Sequence, residues 1–422
     1  MLIEFSVTNF RSFREKQTLS MVAAPRLRKR ENVFKPELKG EIFPDLLKVA
    51  VIYGPNASGK SNLLKAMDVV GQIANREPSN RDIPLPVAPF CFDSALTDKP
   101  SVFELHFIEE GVRYQFDVAV SADRIVSERL ISFPQGQEYL LYERSRTSAN
   151  ETYVFGKNLI EEFGIEVLDT WKKLTPPKLL FVAQAVANSS ESCGSLRRPF
   201  DWIRESTYRV HLHGMGDMAN VVQKMAGKSE KLATSIASFL AEVDVPISKI
   251  MVTTTESSQL DSGLRPTNVL AALVSGSSNT KIETVLTHKT ALGAVELRYD
   301  DESEGTKNLM GFWMPWFGRN LGGTPILVVD ELDSSLHPKI VATLVDKHIH
   351  SDINSQLIFT THDTHLMDTK LLRRDQFWIT ERDMNGATQL RSIHDFEGRE
   401  SEDIEKRYYE GRYRGLPLIK RG

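Results

Sequence analysis

Residues 54 to 61, Gly54-Pro55-Asn56-Ala57-Ser58-Gly59-Lys60-Ser61, match the pattern Gly-x-x-x-x-Gly-Lys-Ser/Thr in full. The chemistry requires those types in those places. Glycines let backbone N–H groups wrap a β-phosphate, Lys60 reaches the β and γ oxygens, and the Ser61 hydroxyl can ligate Mg²⁺. Gly54, Asn56, Ala57, Ser58 and Gly59 would form the cradle. Ser61 and Asn62 would open a helix whose positive end faces the same anion. With glycine near 7% of average usage, a chance match in a chain this long has a probability on the order of 1–2%.

A nucleotide loop needs a metal partner and, for hydrolysis, a base. Ile326-Leu327-Val328-Val329-Asp330-Glu331 reads as an apolar strand ending in paired carboxylates, with Asp330 placed for the metal and Glu331 for an attacking water. Four apolar residues and Asp-Glu are common in buried strands; paired with the phosphate loop they become informative. The next apolar strand ends in Thr360-Thr361-His362-Asp363, where His362 can hydrogen-bond a γ-phosphate and report its presence. His362 and His365 beside Asp363 lack the third ligand of a transition-metal site. His211 and His213 receive no role.

These residues must be positioned by a strand–loop–helix unit. The apolar run Val49 to Tyr53 stops at Gly54, and residues 61 to 75 carry apolar positions three and four apart, which predicts a helix. A strand is expected at Leu2 to Val7 and an antiparallel meander between 84 and 133. Residues 155 to 245 read as mostly helical, interrupted at Pro176-Pro177, Pro199 and Pro246. A Ser/Thr-rich loop with one short helix near Val269 to Ala272 follows from Thr253 to Thr280. Strands are expected again at 295–299, 326–329 and 357–360. About 270 residues separate Lys60 from Asp330. The two halves of the nucleotide sheet are therefore far apart in sequence and must meet in space.

Composition bounds the rest. The chain has 422 residues, 41% hydrophobic, enough for a buried core, and length alone suggests two or three domains. Lys plus Arg number 52 against 56 Asp plus Glu, a net charge of -4, so the whole chain is no polycation built to coat nucleic acid. Arg26 to Arg30 is expected to be a solvated loop; together with Arg197-Arg198 it could still line a groove. Cys91 and Cys193 make neither a disulfide framework nor a zinc pattern, which fits a reducing cytoplasm. Met1 to Phe10 lacks the pattern of a signal peptide, and no run approaches the ~20 apolar residues of a membrane span.

Asn9-Phe10-Arg11-Ser12-Phe13, the phosphate loop, Ser303-Glu304-Gly305-Thr306, Asp330-Glu331 and His362, in this order, resemble the ABC-like AAA ATPases of the structural-maintenance and RecF-type group. Within that group they are similar to the ATPase subunits of bacterial abortive-infection systems of the AbiLi or RloA type. Pro89-Phe90, Phe103-Glu104 and the stretch from Glu405 to Tyr413 add to the likeness. The resemblance implies an α/β ATPase head with a mixed sheet, an antiparallel β lobe and a helical insertion. Its expected parts are 1–150 and 291–422 as the halves of the head, with 151–290 inserted. It implies ATP with Mg²⁺ as cofactors, Ser61 and Asp330 as metal ligands, and Lys60, Glu331 and His362 as catalytic groups. Arg11 and Ser12 would touch the nucleotide. Ser303, Gly305 and Thr306 of one copy would face the γ-phosphate held by another, with Asp333 at the seam, in a homodimer or higher homo-oligomer. Glu304 stands where the usual motif has a glycine, and Gln115 and Gln184 are candidates for the sensing-loop glutamine.

Three functional readings follow: an ATPase that regulates a separate nuclease effector in anti-phage defence, an ATPase that clamps DNA in repair or recombination, and a nucleotide-gated scaffold. The stretch from Asp363 to Gly422, with Glu381 and Asp383, is shorter than the ~100 residues usual for a nuclease domain. A nuclease acting in trans is therefore expected.

Overall fold

A strand covered on both faces reads as an unbroken apolar run. Val49–Tyr53 and Ile326–Val329 are such runs, Gln356–Thr360 has one at Leu357 to Phe359 between polar ends, and all three are buried at every position. The computed structural model describes residues 1–80, 82–147, 150–190, 194–205, 207–210, 215–243, 245–256, 280–317, 326–334, 336–351, 355–399 and 402–416. The fold is mixed α/β. By clustering of its contacts the chain forms two compact units, the first comprising Met1–Arg209, Thr324–Glu331 and His348–Gly422, the second Val210–Gly323 and Leu332–Lys347.

In the first unit the buried runs join one sheet in the order Thr207–Val210, Ile326–Val329, Gln356–Thr360, Val49–Tyr53, Phe377–Arg382, Thr388–Ser392. Pairing from Ile326–Val329 through Phe377–Arg382 is parallel, and the last pair is antiparallel. The phosphate-loop strand and the carboxylate strand thus share a sheet, as expected, with the histidine strand between them. The predicted helix is present as Lys60–Ala74, burying Leu63, Leu64, Met67, Val70 and Ile73 at helical spacing.

A second sheet is antiparallel throughout, in the order Glu151–Phe155, Tyr139–Arg146, Arg124–Phe133, Val112–Ser121, Ser101–Glu109, Leu2–Thr8, Gln17–Ser20. The meander therefore starts later and ends later than the sequence pattern suggests. Pro84, Pro86 and Pro89 leave no N–H for a ladder, so 84–100 carries no strand. Two further strands follow Phe133, where the buried charge of Arg144 interrupts the apolar alternation.

Helices Lys157–Phe163, Ile165–Leu174, Phe181–Ala187 and Gly194–Glu205 belong to the same core as this sheet. Trp202 stacks on Phe107 with centroids 4.0 Å apart, and Phe181 packs on Tyr142 at 4.8 Å. The first boundary between the compact units falls at 209/210. Periodicity reveals a helix but not which core claims its apolar face. Pro199 does not end its helix, which runs on through Phe200, Trp202 and Ile203, all buried.

The second unit contains helices Met215–Lys228, Glu230–Glu242 and Glu304–Phe317 with an antiparallel sheet of Ile247–Glu256, Thr280–Thr290 and Gly293–Arg298. Phe239, Leu240, Ile250, Leu286, Leu309 and Phe312 are buried there. A strand therefore continues through Thr253 to Glu256, where a loop is expected. The short helix expected near Val269, the pair His211 and His213, and Cys193 lie outside the described residues. Among the described residues no helix is long and apolar enough to cross a membrane.

Candidate functional site

In the parallel sheet Val329 is level with Phe359, and Phe359 with Val51. Asp330, Thr361 and Gly54 therefore leave the sheet at one carboxyl edge, the usual ligand-binding edge of such sheets.

Backbone conformation explains the glycines of the loop. Gly54 has φ 151° and Gly59 φ 103°. A Cβ on Gly54 would stand 2.3 Å from Thr380 Oγ1, and one on Gly59 would stand 2.1 Å from Thr388 Oγ1. No side chain fits either space. The crowding comes from hydroxyls that lock the loop. Ser58 Oγ is 2.6 Å from Thr380 Oγ1, which donates to the Tyr53 carbonyl at 3.1 Å. Thr388 Oγ1 is 2.8 Å from both the Ser58 carbonyl and Ser12 Oγ. Asn62 Nδ2 donates to Ser12 Oγ at 2.9 Å. Ser12 is thus drawn against the phosphate loop. Thr380 and Thr388 are site residues that sequence reasoning missed, because nothing in a strand threonine marks it as a loop support.

Lys60 is buried, its Nζ donating to the carbonyls of Gly54 at 2.7 Å and Pro55 at 3.2 Å. Ser61 Oγ donates to Asp330 Oδ1 at 3.0 Å, joining two oxygen donors of the hard type that suits Mg²⁺. Thr360 Oγ1 donates to the same Asp330 oxygen at 2.8 Å and accepts from the Glu331 N–H at 2.7 Å. One hydroxyl therefore orients both carboxylate residues. Glu331 has φ 55°, a strained conformation for a residue with a side chain, and is exposed.

Glu331 and His362 line the same cavity of about 300 Å³ as Ser12 and residues 56 to 62, along with Phe92, Arg382 and Gly386. Arg11 is not in its wall. The Arg11 N–H donates to the Ala88 carbonyl at 2.7 Å, and its guanidinium lies 5.6 Å from the Phe10 ring centroid. Gln115 donates to Asp117 at 2.9 Å and Gln184 sits on helix Phe181–Ala187; neither lines the cavity.

A second cavity, about 440 Å³, lies against Gly54 to Asn56 and His362 and is closed by Tyr408 and Tyr409. The Glu405 to Tyr413 stretch thereby packs on the histidine turn. Thr364 Oγ1 donates to Glu405 at 2.7 Å, and Tyr53 OH donates to the Asp363 carbonyl at 3.1 Å. His365 is turned toward Asp363, Nδ1 to Oδ1 2.8 Å, and that hydrogen bond raises the imidazole pKa.

Ser303, Gly305 and Thr306 lie in the second unit. Ser303 Oγ accepts from the Thr306 N–H at 3.1 Å, capping the helix Glu304–Phe317, and Glu304 reaches Lys307 at 3.1 Å. The basic patches are engaged locally. Arg30 pairs with Asp45 at 3.2 Å, Lys29 donates to the Lys370 carbonyl, and Arg198 pairs with Glu110 at 2.9 Å.

The sequence profile of a family described as "AAA domain, putative AbiEii toxin, Type IV TA system" matches residues 49–175 and 235–368. Among solved structures, the chain is similar to an SMC head bound to the C-winged helix domain of ScpA, with 14% identity, TM-score 0.42, and 97% of this chain and 99% of that one covered. It is likewise similar to the SMC head domain from Thermotoga maritima, with 14% identity, TM-score 0.41, and 93% and 98% covered. No curated protein matches.

Proposed function

Because the chain belongs to the AAA domain family described as putative AbiEii toxin, Type IV TA system, we propose that it binds and hydrolyses ATP and that its nucleotide state regulates a separate nuclease in anti-phage defence. The observation that carries the ATPase reading is the Ser61–Asp330 contact of 3.0 Å beneath a fully formed phosphate loop. It joins two motifs that the sequence keeps far apart.

In this reading the loop N–H groups take the phosphates, and the Lys60 ammonium exchanges the carbonyls of Gly54 and Pro55 for β and γ oxygens. Ser61 and Asp330 hold Mg²⁺, which when bound neutralises charge developing on the phosphates. The Glu331 carboxylate accepts a proton from the attacking water, held in place by its N–H bond to Thr360. His362 hydrogen-bonds the γ-phosphate. Ser303 to Thr306 of a second copy complete the site in the ATP-bound dimer. ATP that binds the dimer in preference to the monomer then drives association.

The reading of an effector in trans is supported by the local engagement of the two carboxylates Glu381 and Asp383. Glu381 faces Arg391 at 3.5 Å and Arg414 at 3.3 Å, and Asp383 accepts from the N–H groups of Asn385 and Ala387. The family description favours the defence setting over the DNA clamp. Lys60→Ala is expected to abolish ATP binding in a calorimetric titration; unchanged affinity would remove the phosphate-loop assignment. Cleavage of nucleic acid by the purified chain alone in Mg²⁺ would overturn the separate effector.

A further inference from the structure

Phe92 is 63% exposed, although Phe90, two residues earlier, is 1% exposed and packs edge-on against it at 5.6 Å. Its loop is held from several sides. Asn9 Oδ1 accepts from the Phe90 N–H at 3.0 Å, Asn9 Nδ2 donates to the carbonyls of Leu96 and Lys99 at 3.0 Å, and Arg14 pairs with Asp93 at 2.8 Å. The Asn9 to Phe13 motif thus presents one aromatic ring to solvent in a fixed place. The Arg382 guanidinium lies 5.4 Å from the Phe92 ring centroid, and Arg382 Nε donates to the Gly386 carbonyl at 3.3 Å. Gly386 has φ 80°, and a Cβ there would come within 3.1 Å of Arg382 Nη2 and 3.3 Å of Phe92 Cδ2. The positive φ favours glycine, and a side chain there would press on both members of the pair.

These three residues share the cavity of the phosphate loop. The polarity of that cavity follows from its hydrogen bonds. Asp330 accepts from both Ser61 and Thr360, and Thr360 also accepts from the Glu331 N–H, which marks the end suited to metal and γ-phosphate. Thr388, two residues beyond Gly386, bonds Ser12 and the Ser58 carbonyl, and Asn62 bonds the same Ser12 hydroxyl. A triphosphate with its terminal phosphate at Glu331 therefore carries its sugar and base toward Gly386.

We infer that Phe92 and Arg382 form a nucleobase clamp that stacks on the purine of the bound nucleoside triphosphate. This rests on the reading of the phosphate loop as a nucleotide site. A flat ring and a planar cation both stack on a π-face, and stacking area favours purines over pyrimidines without reading hydrogen-bonding edges.

The test compares dissociation constants for ATP, CTP and inorganic tripolyphosphate, all with Mg²⁺, by titration calorimetry. Phe92→Ala is expected to weaken ATP about tenfold or more, to narrow the ATP-over-CTP preference, and to leave tripolyphosphate unchanged. Arg382→Ala weakens ATP in the same selective way, and Phe92→Trp retains wild-type affinity. Equal weakening of ATP and tripolyphosphate by Phe92→Ala, or no weakening of either, overturns the clamp while the phosphate loop stands. Failure of the wild-type chain to bind either compound removes the nucleotide reading, and the clamp with it.

Discussion

Thr360 has no reactive chemistry of its own, yet its hydroxyl sits between the two carboxylate residues, 2.8 Å from Asp330 Oδ1 and 2.7 Å from the Glu331 N. Thr360→Val preserves shape and removes both bonds. The lost orientation of Glu331 is expected to lower turnover about tenfold or more, in line with ~1–3 kcal/mol for a buried polar group left without its partner. ATP affinity, carried by the loop and Lys60, should change far less; a kcat and Kd measured side by side check this. Gly59→Ala belongs at the same scale. Its Cβ would meet Thr388 Oγ1 at 2.1 Å at a φ of 103°, so the loop must shift, and loss of ATP binding in a titration is the expected result. Lys60, Ser61, Asp330 and Glu331 were legible in the sequence because their chemistry restricts their types. Thr360, Thr380 and Thr388 were not, since their roles exist only once strands distant in sequence lie side by side.

The antiparallel sheet and the helix Phe181–Ala187 are joined by a buried polar cluster. Glu128 and Arg144, on neighbouring strands, are 0% and 1% exposed and 3.5 Å apart. Glu128 also accepts from Tyr142 OH at 2.5 Å and from the N–H groups of Phe181 at 2.9 Å and Val182 at 3.2 Å, which caps the helix Phe181–Ala187. Burial, followed by the Glu128 charge, pushes the Tyr142 phenol well up. Glu128→Ala leaves Arg144 with Glu151, 2.6 Å away, as its counter-charge and strips the helix cap. A loss of about 1–3 kcal/mol in urea unfolding is expected. His106, on the strand Ser101–Glu109, gives these elements a pH dependence. Burial lowers its pKa from 6.5 despite Glu4, Asp117 and Glu104 nearby. Below about 6.5 the unfolded chain therefore binds the proton that the folded chain refuses. Folding stability should fall as pH drops from 6.5 toward the lowered value, and His106→Gln should flatten that part of a stability–pH curve.

At the scale of the whole molecule the proposed reading turns on ATP-dependent association and on Glu331 as the base. Glu331→Gln removes the base and keeps the loop, so it is expected to bind ATP, turn it over slowly and accumulate as a larger assembly. Light scattering that shows no ATP-dependent rise in mass would count against a site shared between copies. Ser303 to Thr306 are the residues to vary next. Within one chain Ser303 caps its own helix, so Ser303→Asp keeps the cap while placing a negative charge where the γ-phosphate would approach. Turnover should fall with the melting temperature unchanged.

The sequence by itself determined the class of fold and the local pattern on which the proposed chemistry rests. Phosphate binding needs glycines, a lysine and a hydroxyl in fixed local order, and parallel strands buried on both faces need unbroken apolar runs such as Val49 to Tyr53. Tertiary structure decided which distant pieces share a surface. Ser12, Phe92 and Arg382 have ordinary local contexts, and only the closing of Phe377–Arg382 and Gln356–Thr360 around the phosphate-loop strand brings them to one cavity, whose lining residues Glu331 and Ser58 are hydrogen-bonded by Thr360 and Thr388. The same holds for the helices from 157 to 205, whose periodicity is local but whose core is chosen by Phe107 and Tyr142. Local order is written in neighbouring residues, whereas shared surfaces depend on pairings across hundreds of positions that no short pattern records.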